Sequence, residues 1–177
     1  MQARALLMIE HRLIERMISL LGERAAAIRS TQTVEPLFVD TAVDFIRVYA
    51  DQTHHGKEED IMFRDLEQRS LSEEDRRIMQ ELKDEHVFGR KVTKALVAAN
   101  TRYRNGDDTA LIEIADHLET LADFYPRHIA KEDKVFFPAA RQYVTDEEDQ
   151  AMLVAFNEFD RKMIHQKYEA LVDGLES

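Results

Sequence analysis

Histidine and glutamate recur along the chain in a pattern that is present twice. In each copy a histidine is followed 42 or 43 positions later by a second histidine, and a glutamate lies four residues beyond the second one. Imidazole and carboxylate together suit iron or manganese well, and zinc less distinctively. The pattern therefore predicts a symmetric metal site. Its candidate ligands are His11, His54, Glu58, His86, His128 and Glu132.

The spacing inside each copy indicates how these ligands converge. Residues four apart lie on one face of a helix, so His54 projects with Glu58 and His128 projects with Glu132. One such pair is usually a surface pair, but a matched duplicate favours metal binding. A buried, unpaired carboxylate costs roughly several kcal/mol, so two of them inside a bundle need positive charge between them. Two ions bridged by Glu58 and Glu132 would use both half-sites fully.

Glu10 and Glu85 directly precede candidate ligands and cannot share their helix face. We expect them either at the surface or in a supporting contact with the site. Every histidine ligand needs a partner for its second ring nitrogen, and the sequence does not name those partners.

The composition is that of an ordinary globular protein, and its 177 residues predict a single domain spanning 1–177. The formal charge of −11 argues against nucleic acid or an anionic membrane surface as a partner, since both require clustered Lys and Arg. The lack of cysteine excludes disulfides, iron–sulfur ligation and thiol catalysis. The apolar run at 5–9 is too short for a signal peptide, and no stretch reaches the roughly 18 apolar residues of a membrane span. We therefore expect a cytoplasmic protein.

Helical periodicity is present in five segments, and no strand pattern is found. The predicted helices cover about 3–29, 37–68, 72–104, 109–143 and 146–175. Ser72 predicts a capped helix start and Asn105-Gly106 predicts a turn. Long helices joined by short loops predict an all-α fold, an up-down-up-down four-helix bundle at about 3–143 with an additional C-terminal helix. Pro126 should kink the fourth helix, or free one carbonyl, two residues before His128.

Four separated stations carry a family resemblance. They are Glu10-His11, His54-His55-Gly56-Lys57-Glu58-Glu59, Glu85-His86 and the run 124–133. In this order they resemble the hemerythrin-like family, the His-His-Glu cation-binding domain, over about residues 5–142. The resemblance implies a non-haem di-iron centre, with two carboxylate-bridged iron ions as the cofactor. The implied sets are Glu58 and Glu132 for the bridges, His11 with His54 for one iron, and His86 with His128 for the other.

One position departs from that family. Oxygen-carrying members have a second histidine one turn after the third-helix ligand, where this chain has Arg90. The iron held by His86 therefore either has an extra open position or takes another ligand. His55 and Tyr125 are the candidates, but we favour a supporting or surface role for His55 and a hydrogen-bonded core position for Tyr125. Gly89 leaves room for a diatomic ligand, although such a glycine more often permits close helix packing.

Three functions fit these expectations. The first is reversible binding or sensing of a small diatomic ligand, oxygen or nitric oxide, at the iron centre. The second is a di-iron oxidoreductase acting on peroxide or nitric oxide, and the third is iron handling or storage. The sequence leaves open whether the protein is an enzyme and whether it forms a homodimer. The last helix carries apolar side chains that would cover the bundle or bind a second copy, namely Leu153, Phe156, Phe159, Met163, Leu171 and Leu175.

Overall fold

Helices account for all the regular structure of the part of the chain that is described. The computed structural model describes the backbone of residues 2–176 and the side chains of that range other than 168, 170, 171 and 173–176. Within 2–176 there are five long helices and no strand. Their bounds are α1 Gln2–Thr31, α2 36–67, α3 Glu73–Arg104, α4 110–140 and α5 Asp146–Glu176. The five predicted helices are confirmed, and the predicted end of α4 at 143 includes the 3₁₀ turn Arg141–Tyr143.

Two of these helices are partly π-helical. In α2 the π-helical segments are Phe45–His55 and Glu58–Phe63, and in α4 the segment is Glu132–Phe136. A π-helix bonds to the fifth preceding residue, so its turns are wider and consecutive side chains are rotated by a smaller angle than in an α-helix. Single π turns often occur at functional sites. Here the π-helical segments contain every candidate ligand of α2 and begin at Glu132 in α4.

The helix ends follow the local chemistry that the sequence indicates. The Ser72 hydroxyl accepts a hydrogen bond from the backbone N–H of Asp75 at 3.1 Å. Thr145 and Glu148 form a reciprocal capping box, in which each side chain accepts from the other's backbone N–H. Gly106 has a φ of +91°, which only glycine adopts without strain, and it turns the chain between α3 and α4.

The packing places the candidate ligands between two apolar clusters. Helices α1 and α3 both pack against α4, and α2 packs against α3. One buried cluster includes Ile18, Leu96 and Leu118, while the other includes Leu7 and Phe137. The candidate histidines and glutamates lie between these clusters along α1, α2, α3 and α4. Water is therefore kept away from the site at both ends.

Helix α5 joins the second cluster through Phe156, which is fully buried. Its Asp149 carboxylate accepts hydrogen bonds from the backbone N–H groups of Gln2 and Ala3, and so caps the start of α1. Two of the apolar residues expected on this helix, Leu171 and Leu175, lie outside the described side chains.

Two further expectations can be compared with the structure. Helix α4 contains Pro126 and does not end there. It stays α-helical to Lys131 and continues as a π-helix from Glu132. Among the described residues, no helix has both the length and the hydropathy needed to cross a membrane.

Candidate metal centre

The six candidate ligands converge at one level of the helices, and a seventh side chain joins them. None of the seven is more than 2% exposed. They are His11, His54, His55, Glu58, His86, His128 and Glu132. Helices α1 and α3 contribute one of these residues each, α2 contributes three and α4 contributes two.

The ligand atoms form two groups. In each group every residue has a nitrogen or oxygen donor within 4.8 Å of the donors of all the others. The first group consists of His11, His54, Glu58 and Glu132, and the second consists of His55, His86 and His128. Each group would be able to hold one cation, because its donors point to a common centre.

The two glutamates face both groups. Glu58 directs Oε1 to His54 Nε2 at 3.5 Å and Oε2 to His86 Nε2 at 3.4 Å. Glu132 directs Oε2 to His11 Nε2 at 3.1 Å and Oε1 to His128 Nε2 at 3.2 Å. Each carboxylate thus presents one oxygen to each group, which is the geometry of a bridging ligand.

Eight of these donor atoms are buried without a hydrogen bond in the described part of the chain. They are the Nε2 atoms of His11, His54, His86 and His128 and both carboxylate oxygens of Glu58 and Glu132. Buried polar atoms are normally satisfied, and those that are not require an explanation such as a bound ion. Imidazole nitrogens and carboxylate oxygens around a shared centre are the donors that a metal cation would satisfy.

The electrostatics of the cluster point in the same direction. Burial raises the pKa of Glu58 well above its ordinary value, and the negative charge of Glu132 raises it further. Two adjacent buried carboxylates cannot both be ionised unless positive charge is close to them. Burial also lowers the pKa of the His54 imidazole and keeps it neutral, which is the state that binds metal.

A second layer of carboxylates orients all five imidazoles. Each Nδ1 lies within 3.3 Å of an Asp or Glu oxygen, so the N–H at Nδ1 donates outward. In all of them but His55, Nε2 lies within 3.5 Å of an oxygen of Glu58 or Glu132. The pairs are His11–Asp133, His54–Glu10, His55–Asp51, His86–Glu59 and His128–Glu85. Such partners fix the tautomer and increase the basicity of a histidine ligand.

This outer layer obeys the internal repeat. Glu10 precedes His11 in sequence but accepts from His54 on the neighbouring helix, and Glu85 bears the same relation to His128. Lys57 and Lys131, which are equivalent in the repeat, then donate to Glu10 and Glu85 respectively. Glu10 and Glu85 therefore make the supporting contact that was expected of them. The repeat also includes the two lysines that lie outside these glutamates.

The structure revises the interpretation of His55. Its side chain is 2% exposed and its ring stacks on that of His86, with centroids 3.8 Å apart and an interplanar angle of 11°. A surface position is therefore wrong. The physical reason is the π-helical course of α2, because the smaller rotation per residue lets His54 and His55 both face the interior. An α-helical course would turn the two side chains further apart.

Arg90 occupies the position at which the oxygen-carrying members of the family have a histidine, and it binds the outer carboxylates of two imidazoles. Its guanidinium donates to Asp51 and to Glu59, each at 2.7 Å. These are the carboxylates that accept from His55 and His86. Arg90 therefore connects the partners of two stacked rings and does not enter the centre itself.

Tyr125 is buried, as expected, but belongs to neither donor group. None of the described residues pairs with its hydroxyl, so the predicted hydrogen bond stays a prediction. Tyr125, His55, Gly89 and Arg90 line a small cavity of about 80 Å³. A Cβ atom at Gly89 would lie 3.5 Å from Phe124, an ordinary contact, so close packing does not require glycine there.

Comparison with known proteins identifies the family. The model of the hemerythrin HHE cation binding domain matches residues 2–140, so the chain belongs to the hemerythrin HHE cation-binding family. Uncharacterized proteins of Mycobacterium bovis and Mycobacterium tuberculosis are 26% identical to it over 168 residues. That match covers 94% of this chain but only 65% of the length of those curated relatives. No solved structure matches the chain.

The unsatisfied carboxylates predict opposite effects of one substitution on stability and on metal content. In Glu58→Gln, the metal-free protein should become more stable, by about 1–3 kcal/mol, because a buried acidic group without a hydrogen bond is replaced by a neutral amide. The same variant should lose its metal. Urea unfolding in the presence of a chelator, together with elemental analysis, measures both effects.

Glu59→Gln provides the control, since this half-exposed residue lies outside the two donor groups. It should not stabilise the metal-free form. A metal-free Glu58→Gln protein that is less stable than the wild type would show that the glutamate is an ordinary structural residue.

Proposed function

We propose that the protein holds two non-haem iron ions and reversibly binds or senses a small diatomic ligand, oxygen or nitric oxide, at that centre. The observation that carries this proposal is the pair of buried glutamates, each with one unsatisfied oxygen facing each imidazole group. Membership of a cation-binding family supports a metal at this place. Mixed nitrogen and oxygen donors favour iron or manganese among the candidates.

The proposed ligand sets are unequal. Glu58 and Glu132 would bridge the ions, His11 and His54 would hold the first, and the second would be held by His55, His86 and His128. His55 is the change from the sequence-based assignment, and it supplies the imidazole that Arg90 does not. When bound, iron would supply the redox chemistry and the affinity for diatomic gases, whereas the chain supplies orientation and exclusion of water.

Unequal sets give the two ions different roles. The first ion would receive one imidazole fewer than the second, so its coordination would be more open. The expectation of an open position therefore moves from the His86 side to the side of His11 and His54. Two apolar clusters close the site from both ends, which favours a small, uncharged ligand over a large or polar one.

The internal repeat supports the proposal of an open side. His55 is equivalent to Ile129 and Thr93 is equivalent to Ile18, so polar residues near the second group correspond to aliphatic residues near the first. Ile18, Ala122 and Ile129 line a cavity of about 280 Å³. This cavity is the repeat-related counterpart of the small one beside His55, and Glu15 and Ser19 also line it. We propose that it gives a dissolved gas a route towards the first group, because Ile129 lies one helical turn before Glu132 on α4.

The proposal includes the arrangement of the helices as an up-down-up-down bundle. Along α1 and α3 the chain leaves the cluster that contains Leu7 and reaches the one that contains Leu96. Along α2 and α4 the order is reversed, as shown by Ala50 before Met62 and by Leu118 before Phe137. Antiparallel neighbours allow repeat-related ligands to meet at one level.

Anaerobic loading with ferrous iron tests the function directly. We expect two irons per chain and, after admission of oxygen or nitric oxide, a coloured adduct that disappears when the gas is removed. Loss of added peroxide with turnover would instead support an oxidoreductase. A protein that folds equally well with zinc and forms no adduct with either gas would contradict the proposal.

His55 makes a prediction about metal content. Substitution by Gln removes one of three imidazoles from the second group only, so His55→Gln should retain about one iron per chain. Elemental analysis after gel filtration measures this. Tyr125→Phe, which changes a neighbouring buried ring outside both groups, should retain two. Two irons in His55→Gln would remove His55 from the ligand set.

Ile129 predicts where the exogenous ligand binds. In Ile129→Phe the larger ring should fill the cavity that Ile18, Ala122 and Ile129 line, and weaken the binding of azide, used as a spectroscopic probe, by about tenfold or more. The iron content should remain unchanged. Gly89→Ala on the other side should bind azide normally. Equal affinities in both variants and the wild type would place the open position elsewhere.

A further inference from the structure

Helix α5 lies outside the region that matches the family, yet it contacts the metal centre through a chain of charged side chains. The match ends at residue 140, whereas α5 begins at Asp146. The Asp160 carboxylate on α5 accepts a hydrogen bond from Lys57 Nζ at 2.6 Å. Lys57 lies on α2 between two candidate ligands in the sequence, so the contact connects the additional helix to the site.

The chain continues inward without a gap. The Lys57 ammonium, which is fully buried, also donates to Glu10 Oε1. Glu10 in turn accepts from Nδ1 of His54 through its other oxygen, at 2.8 Å. Asp160, Lys57, Glu10 and His54 thus form an alternating series of charged and polar groups that ends at the first donor group. We call these four residues the α5 relay.

In the other half of the repeat, no described residue of α5 takes the place of Asp160. There Lys131 donates to Glu85 at 2.5 Å and to Glu81 at 3.4 Å, and both glutamates belong to α3. The Lys131 side chain is 28% exposed, whereas that of Lys57 is 0% exposed. Among the described residues, α5 therefore contacts the lysine of the half with fewer imidazoles and does not contact the lysine of the other half.

The docking of α5 also uses a residue beside the relay. Gly56 directly precedes Lys57, and a Cβ atom there would come within 2.7 Å of the Phe159 ring. Phe159 precedes Asp160, so the ring and the carboxylate reach α2 at adjacent positions. The absence of a side chain at Gly56 thus lets α5 approach closely enough for Asp160 to meet Lys57.

We propose that Asp160 and Lys57 are positioning residues through which α5 adjusts the ion held by His11 and His54. Asp160 binds the same ammonium group as Glu10 and so weakens the ion pair between Lys57 and Glu10. Glu10 then accepts a stronger hydrogen bond from His54, which increases electron donation by that imidazole. The inference rests on the proposed di-iron function and deepens it, because it assigns the control of the ligand-binding ion to α5.

Neutralising Asp160 has a defined consequence. In Asp160→Asn, Lys57 should bind Glu10 more strongly, the hydrogen bond from His54 should weaken, and a positive charge near the site should be uncompensated. Each of these changes favours the reduced state of the ion. We expect the reduction equilibrium of one iron to shift by about tenfold, which is about 59 mV for one electron.

Spectroelectrochemical titration of the iron-loaded full chain measures this shift, and the visible charge-transfer band provides a second readout. Asp160→Glu, which keeps the charge, should restore most of the wild-type potential. Lys167→Met is the matched control, because it removes a different ion pair between α5 and α2, that with Asp44. Glu81→Gln tests the repeat-related position and should change the potential less than Asp160→Asn does.

The outcomes separate this inference from the proposed function. Iron-loaded Asp160→Asn with the wild-type potential, or with a shift equal to that of Lys167→Met, would overturn the role of the relay while the di-iron function stands. A wild-type chain that takes up no iron would overturn the function and the inference together. A shift in Asp160→Asn that Asp160→Glu reverses, at equal iron content, is the result expected.

Discussion

The interaction on which the site depends is the mutual burial of two carboxylates among imidazoles that do not hydrogen-bond to them. In an apolar interior, ionised acidic groups without partners are strongly destabilising. Glu58 and Glu132 are fully buried and lie side by side, and apolar clusters keep water away at both ends. Cations bound between the two glutamates would neutralise this arrangement. The electrostatics of the chain therefore support a metal at this place independently of the family match.

Charge alternates in layers around that centre. The inner carboxylates face imidazoles, the imidazoles donate to outer carboxylates, and several of the outer carboxylates bind Lys57, Lys131 or Arg90. Each layer reduces the cost of burying the one inside it, because every charge has an opposite neighbour. The layers are also connected rigidly to the helices, so the positions of the ring nitrogens are set before a metal arrives. Preorganisation of this kind favours tight and selective binding.

The five helices and the six convergent ligands could be predicted because both leave regular signals in the sequence. Apolar periodicity marks the helices, and duplicated spacing marks His54 with Glu58 and His128 with Glu132. The sequence predicts that each histidine ligand needs an outer partner, but it does not identify the partner. An acidic residue four positions away on the same helix and one on another helix are equally compatible with the sequence. The surface position considered for His55 was wrong for a physical reason. Its burial depends on π-helical hydrogen bonding, which breaks the periodicity used for prediction.

The differences between the two halves carry more information about function than their likeness. The repeat duplicates ligands, outer carboxylates and lysines, and that symmetry explains why two cations fit. The symmetry is broken at three places. His55 corresponds to Ile129, and Arg90 corresponds to Glu15. The contact of Asp160 with Lys57 has no counterpart among the described residues of α5. The first two differences add an imidazole and an anchor for the outer carboxylates on one side. The first of these differences leaves the aliphatic Ile129 on the other side. The third difference lies on the side with fewer imidazoles, so the departures from symmetry together give the two donor groups different surroundings.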